Sequence, residues 1–230
     1  MKVMTRESQG ERIVTLRDDG AVFDERMMDA MVSALDSIES ESEDTSLVLL
    51  FEGGESIVGD FPTWERERSR EELRYFVRWE DLVSRLCRLK VKTVAGYRGP
   101  IGAAAIQLGL VTDLRVGTED VRLHLGSLCR GPFPGTTWFL LPKFVGLGVA
   151  RRLLLLGGEL GASDALRLGL LDVVGPQITH VIKETLDKMR PLNAEAVYFV
   201  RRILDDSYRH ERAAAIEQIK AARSKLGSSG

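Results

Sequence analysis

Cysteine is nearly missing from this chain. Cys87 and Cys129 are the only two in 230 residues, and their separation fits no metal-ligand spacing. Two thiols in a chain of this size build no disulfide framework, so the composition points to a reducing, cytoplasmic setting. An excess of one charge is missing too. The 32 Lys plus Arg stand against 34 Asp plus Glu, a formal net charge of -2, which removes the basic surplus expected of a nucleic-acid partner. No stretch approaches the ~18 consecutive apolar residues of a membrane span, so no membrane partner is expected. Arg6, Glu7, Glu11 and Arg12 come early with no apolar run among them, so no signal peptide is expected. Only three histidines occur, His124, His180 and His210. No solenoid-type repeat and no long linker interrupts the chain.

What is present is ordinary for a globular domain: 44% hydrophobic and 29% charged residues. A chain this long buries roughly 70% or more of its unfolded surface. Arg12 to Leu16 alternates as a short strand, and Asp18-Asp19-Gly20 punctuates it. Asp24 is placed to cap a helix whose stripe is Met27, Met28, Met31, Val32, Leu35 and Ile38, a spacing typical of core. Ser46 to Phe51 is a continuous apolar run, the signature of a parallel strand covered on both faces. After the loop Gly53 to Asp60, the charged segment from Trp64 carries a helical stripe (Leu73, Phe76, Val77, Leu82, Val83, Leu86). Tyr75, Arg78 and Trp79 in it are candidates for a site entrance. Lys90 to Ala95 reads as a strand, Ala103 to Val111 as a buried helix, and Thr112 to Val116 and Val121 to Leu125 as strands. A helix is expected from about Thr136, and Val149 to Leu156 is apolar with Arg151 and Arg152 outward. Ser163 is expected to cap a short helix ending at Gly169, and Leu170 to Val174 is a last strand. From Ile178 the pattern is helical, broken at Pro191 and resumed at Asn193. Ala213 to Lys225 reads as an exposed or partner-facing helix, and Gly227 to Gly230 as a flexible tail. Strands alternating with helices make this an α/β chain.

The organising stretch is Val94 to Leu141. A strand enters a run of small residues, Gly99-Pro-Ile-Gly-Ala-Ala-Ala105, and a second loop follows with Gly126, Gly131, Pro132, Pro134 and Gly135. Small residues where a strand turns into a helix let a ligand approach the backbone and leave N–H groups facing it. A tightly packed corner is the alternative reading of the same residues.

With these motifs in hand the chain resembles the crotonase superfamily, the enoyl-CoA hydratase/isomerase family. The resemblance covers about residues 12 to 205. It rests on VFDERMMDAMVSALDSIE, VLLFEGGESIVGDF, KTVAGYRGPIGAAAIQLGLVTDLRV and GPFPGTTWFLLPKFVGLGVARRLLLLGGELGASDALRLGLLDVV, in the family's order and spacing. It implies a crotonase-like ββα spiral with two roughly perpendicular sheets over 1–175, a helical region over 176–226 for core packing and oligomerisation, and the tail 227–230. Trimers or hexamers are implied, as is an acyl thioester of coenzyme A or of an acyl-carrier protein. No cofactor is expected beyond the coenzyme A or phosphopantetheine that belongs to the substrate. Two backbone N–H groups would hold the thioester oxygen, such donors being worth roughly 3–4 kcal/mol each in other oxyanion holes. Matched by position, they fall on Gly59 and Ala104, with Val58, Ala103 and Trp138 lining the acyl pocket.

The family's hydratases use two glutamates, and the matching positions read Gln107 and Ser127. Neither side chain titrates near neutral pH, which argues against ordinary enoyl-CoA hydration. Both are equally open to a binding role and to inertness. His124 is an acid/base candidate or a structural histidine, and Asp60 an acid/base candidate or the cap of its own turn. Cys129 has no evident activating base and is expected to be inert. Two functions are expected: an unusual enolate-type enzyme (decarboxylase, dehydratase or isomerase in specialised biosynthesis), or an auxiliary paralogue that binds and activates a partner enzyme.

Overall fold

The computed structural model describes residues 2–8, 11–17, 22–39, 45–62, 69–125 and 136–204. Its frame is a six-stranded sheet: β1 (Lys2–Ser8), β2 (Glu11–Arg17), β3 (Ser46–Glu52), β4 (Lys92–Arg98), β6 (Leu114–Thr118) and β9 (Val173–Gly175), in the order β1-β2-β3-β4-β6-β9. β1 is antiparallel to β2, and every other pairing in the sheet is parallel. A second sheet joins β5 (Pro100–Ile101), β7 (Arg122–His124) and β8 (Glu159–Gly161).

The unbroken apolar run of β3 is explained by cover on both faces. Leu47, Leu49 and Phe51 join the main core with α1 (Glu25–Glu39), α2 (Ser69–Arg88) and α3 (Ala103–Leu110). Val48 and Leu50 face the other way, onto Ile178, Val181, Ile182, Leu186 and Met189 of α7 (Ile178–Met189). The Met stripe of α1 is core as expected, and Asp24 caps that helix by accepting the Met27 N–H at 2.9 Å.

Several elements depart from the sequence reading. β1 and the three-residue β8 were not expected, because each exists through pairing rather than through its own pattern. The segment at Thr136–Phe139 is a 3-10 turn, followed by α4 (Leu141–Val145) and α5 (Leu147–Leu156), which Gly146 separates at φ +78°. α6 (Ala162–Arg167) starts from Gly161 with no side-chain cap, so Ser163 lies in the first turn instead of capping it. Residues 194–204 form α8, whose start is capped when Ala196 N–H donates to Asn193 Oδ1 at 2.9 Å. The Ala213 to Lys225 helix and the glycine-serine tail lie outside the described residues.

Asp113 ties α8 to the sheet. Its carboxylate accepts the Thr93 N–H at 2.7 Å and Arg201 Nε–H at 2.8 Å, while Arg201 also donates to the Leu89 and Val91 carbonyls.

Candidate functional site at the β4–α3 corner

β4 ends at Arg98, and Gly99 takes φ +70°, where an added Cβ would lie 2.4 Å from Gly53 O. The chain then lays β5 beside the Val58–Gly59 loop. Val58 N–H donates to Pro100 O at 3.1 Å, Gly102 N–H to Val58 O at 2.8 Å, and Ala105 N–H to Gly59 O at 2.9 Å. Three hydrogen bonds thus clamp the loop onto β5 and the start of α3.

Gly59 sits at φ +71°, and a Cβ there would come within 2.6 Å of Ala105 Cβ. Glycine is required on both counts. Gly102 is equally constrained, since a Cβ would meet Asp60 Cα at 2.6 Å. Ala103, Ala104 and Ala105 lie within the helix, so alanine replaces the family's glycines without a left-handed backbone. The clamp occupies the N–H groups of Gly102 and Ala105, and Ala103 N–H points at Asp60 Oδ1 at 3.4 Å. Gly59 N–H and Ala104 N–H make no hydrogen bond among the described residues. The first turn of a helix leaves such donors free by construction.

The other candidate residues separate into groups. Val58, Ala103 and Trp138 are buried in the main core beside Ala104, with Trp138 at 8% exposure the most open of them. Gln107 lies three residues past Ala104 and is fully buried. Asp60 Oδ1 accepts the Phe61 N–H at 2.9 Å as well as facing Ala103 N–H, which is the turn-capping arrangement. His124 ends β7, half-exposed, with Nε2 3.4 Å from Glu159 Oε2. Ser127 and Cys129 lie outside the described residues.

The entrance expected in α2 is corrected. Tyr75 is fully buried and donates its hydroxyl to Phe23 O. Trp79 is also fully buried, edge-on to Phe23 and Phe61. Arg78 pairs with Asp29 and Glu25 on α1. All three fasten α2 to α1 and the Asp60–Phe61 turn. Beneath the corner Tyr97 donates its hydroxyl to Ala105 O at 3.2 Å, and burial pushes its phenol well above the ordinary range. Sequence reasoning missed Glu159, whose only signal is the strand register that puts it opposite His124.

The model of the enoyl-CoA hydratase/isomerase family matches residues 12–229. The chain belongs to the enoyl-CoA hydratase/isomerase family. Within that family it is 35% identical, over 97 residues, to a protein of Amycolatopsis orientalis named enoyl-CoA-hydratase. That match takes in 42% of this chain and 45% of the relative, so the chain spans less than half the length of that curated relative. The crystal structure of an enoyl-CoA hydratase from Mycobacterium smegmatis superposes with a TM-score of 0.78 at 24% identity, over 96% of this chain and 90% of that one. That of a proposed polyketide-biosynthesis enoyl-CoA hydratase of Bacillus subtilis gives 0.80 at 16% identity, over 99% and 92%. At these identities the likeness is one of fold: the chain has the crotonase fold.

Proposed function

We propose that this family member binds an acyl thioester and stabilises its enolate through the N–H groups of Gly59 and Ala104. The observation that supports this reading is the clamp at 2.9 Å between Ala105 N–H and Gly59 O, which joins the two loops while leaving both donors free. Preorganised donors of this kind act on charge that develops during reaction. Val58, Ala103 and Trp138 would wall the acyl group, and coenzyme A or phosphopantetheine enters only as part of the substrate.

The chemistry is not standard hydration. Gln107 and Ser127 replace the two glutamates, and neither an amide nor a hydroxyl has a pKa near neutrality with which to act as general acid or base. Decarboxylation survives that replacement best. Loss of carbon dioxide from a carboxyl-bearing acyl group leaves a thioester enolate, which needs only the two donors and one proton. His124 is the proposed proton source, with Gln107 and Ser127 orienting the substrate by hydrogen bonds. Dehydration and isomerisation are the other enolate reactions open to the same corner. The second reading, an auxiliary protein that binds and activates a partner biosynthetic enzyme, is favoured by one observation: the Gln107 side chain is fully buried and carries no titrating group.

The test is isothermal titration with a short acyl-CoA and with free coenzyme A, followed by an activity screen on crotonyl, malonyl-type and 3-hydroxyacyl thioesters. Micromolar thioester binding with release of carbon dioxide or water, lost on changing His124, supports the enzyme. Rapid hydration of crotonyl-CoA overturns it. Absence of both binding and turnover leaves the auxiliary reading.

A further inference from the structure

The second sheet puts His124 in a particular place. Val58 bridges Ile101, and Ile101 pairs with Leu123. Val58, Ile101 and Leu123 therefore fall in one row, with Gly59 and His124 each one residue beyond it in sequence. On the far side β8 runs antiparallel and sets Glu159 opposite His124. Two strand spacings put the Leu123 Cα about 10 Å from that of Val58. Leu123 and Leu125 are buried in the core, so alternation turns His124 to the opposite face.

We infer that Glu159 is a positioning residue for His124. Its Oε2 lies 3.4 Å from His124 Nε2, on the directly opposed residue of the neighbouring strand. A carboxylate there holds Nε2–H and fixes the ring's orientation. Nδ1–H is then left to give a proton to an enolate carbon at the corner. In that step the N–H bond breaks, a C–H bond forms, and Glu159 stays ionised. Arg122 works against the pair, since its Nε lies 3.9 Å from the other oxygen of Glu159 on the same strand as His124. Among the described residues, the neighbouring elements add no further charge to the pair. β5 and α3 carry no ionisable side chain, and the Asp164 and Arg167 of α6 pair with each other at 2.7 Å. Asp60, the other carboxylate near this row, is held by Phe61 N–H.

The inference rests on the proposed enolate chemistry, and its test separates the two. The ring nitrogen signals of His124, assigned against a His124→Gln variant, are read by NMR in the full chain. Glu159→Gln should shift the Nε2 signal and broaden it as the ring loses its fixed orientation, and Glu159→Asp should recover most of the change. With an active thioester, Glu159→Gln should lower kcat several-fold at unchanged KM. A purely structural role would change thermal stability and leave the ring signals and kcat in place. Unmoved His124 ring signals in Glu159→Gln overturn the pairing even if His124→Gln abolishes turnover. Moved ring signals in a protein that binds no acyl-CoA overturn the function instead and leave the pairing standing.

Discussion

The carbonyl of Gly59 accepts the backbone N–H of Ala105 at 2.9 Å, and no side chain larger than hydrogen fits at Gly59 beneath that bond. Gly59→Ala combines a left-handed alanine, which costs roughly 1–2 kcal/mol, with a Cβ only 2.6 Å from Ala105 Cβ. The expected outcome is tenfold or greater loss of acyl-CoA affinity with a lower unfolding midpoint, measured by titration calorimetry and urea denaturation. Unchanged affinity would remove Gly59 from the site.

The seat of α3 depends on Gly109. A Cβ there would lie 1.6 Å from Tyr97 Oη, on the tyrosine whose hydroxyl reaches Ala105 O. Gly109→Ala should destabilise the fold by roughly 2–4 kcal/mol, in the range of overpacked cores or above. Adding Tyr97→Phe should recover part of it by removing the clashing oxygen. A double-mutant cycle in urea checks the sign of the coupling.

Asp113 and Arg201 form an ion pair at 2.6 Å with only 12% and 7% of their side chains exposed. Arg201→Met leaves Asp113 short of a partner and Leu89 and Val91 carbonyls short of donors. It should cost about 3–5 kcal/mol. Pairing it with Asp113→Leu should cost less than the sum of the two single changes, read from chemical denaturation.

Tyr75 and Tyr97 make the fold sensitive to alkali. Burial, the largest cause for each, raises both phenols above their ordinary value of 10.0. A folded-state pKa above the unfolded one means the stabilisation is intact below about pH 10 and is lost as pH climbs from there toward the folded values. Two of the 4 tyrosines should therefore ionise only on unfolding, seen as a cooperative step in absorbance near ~295 nm. Tyr75→Phe and Tyr97→Phe together should abolish that step.

Restoring the two acids tests the departure from hydration. Gln107→Glu with Ser127→Glu should raise crotonyl-CoA hydration at least tenfold above the parent chain, and neither single change should do so, because water must be activated by one group and protonated by the other. Coupled assays of 3-hydroxyacyl-CoA formation would show it.

The sequence by itself determined the layers and the position of the corner. The apolar run of β3, the Met stripe of α1 and the Asp24 cap are local signals, and each appears in the structure where its period or cap chemistry puts it. Gly59 and Ala104 were picked out by the family resemblance of the small-residue motifs, since neither position carries a local signal that separates an oxyanion donor from a tightly packed corner. Tertiary structure decided the rest. Tyr75 and Trp79 look like entrance residues in a charged segment, yet packing against Phe23 and Phe61 makes them core, since a helical stripe does not say which neighbour covers it. Asp60 became a turn cap only through the two N–H groups brought to it. Glu159 has no local signal at all: a three-residue strand is too short to show a pattern, and only its register beside β7 sets that carboxylate against His124.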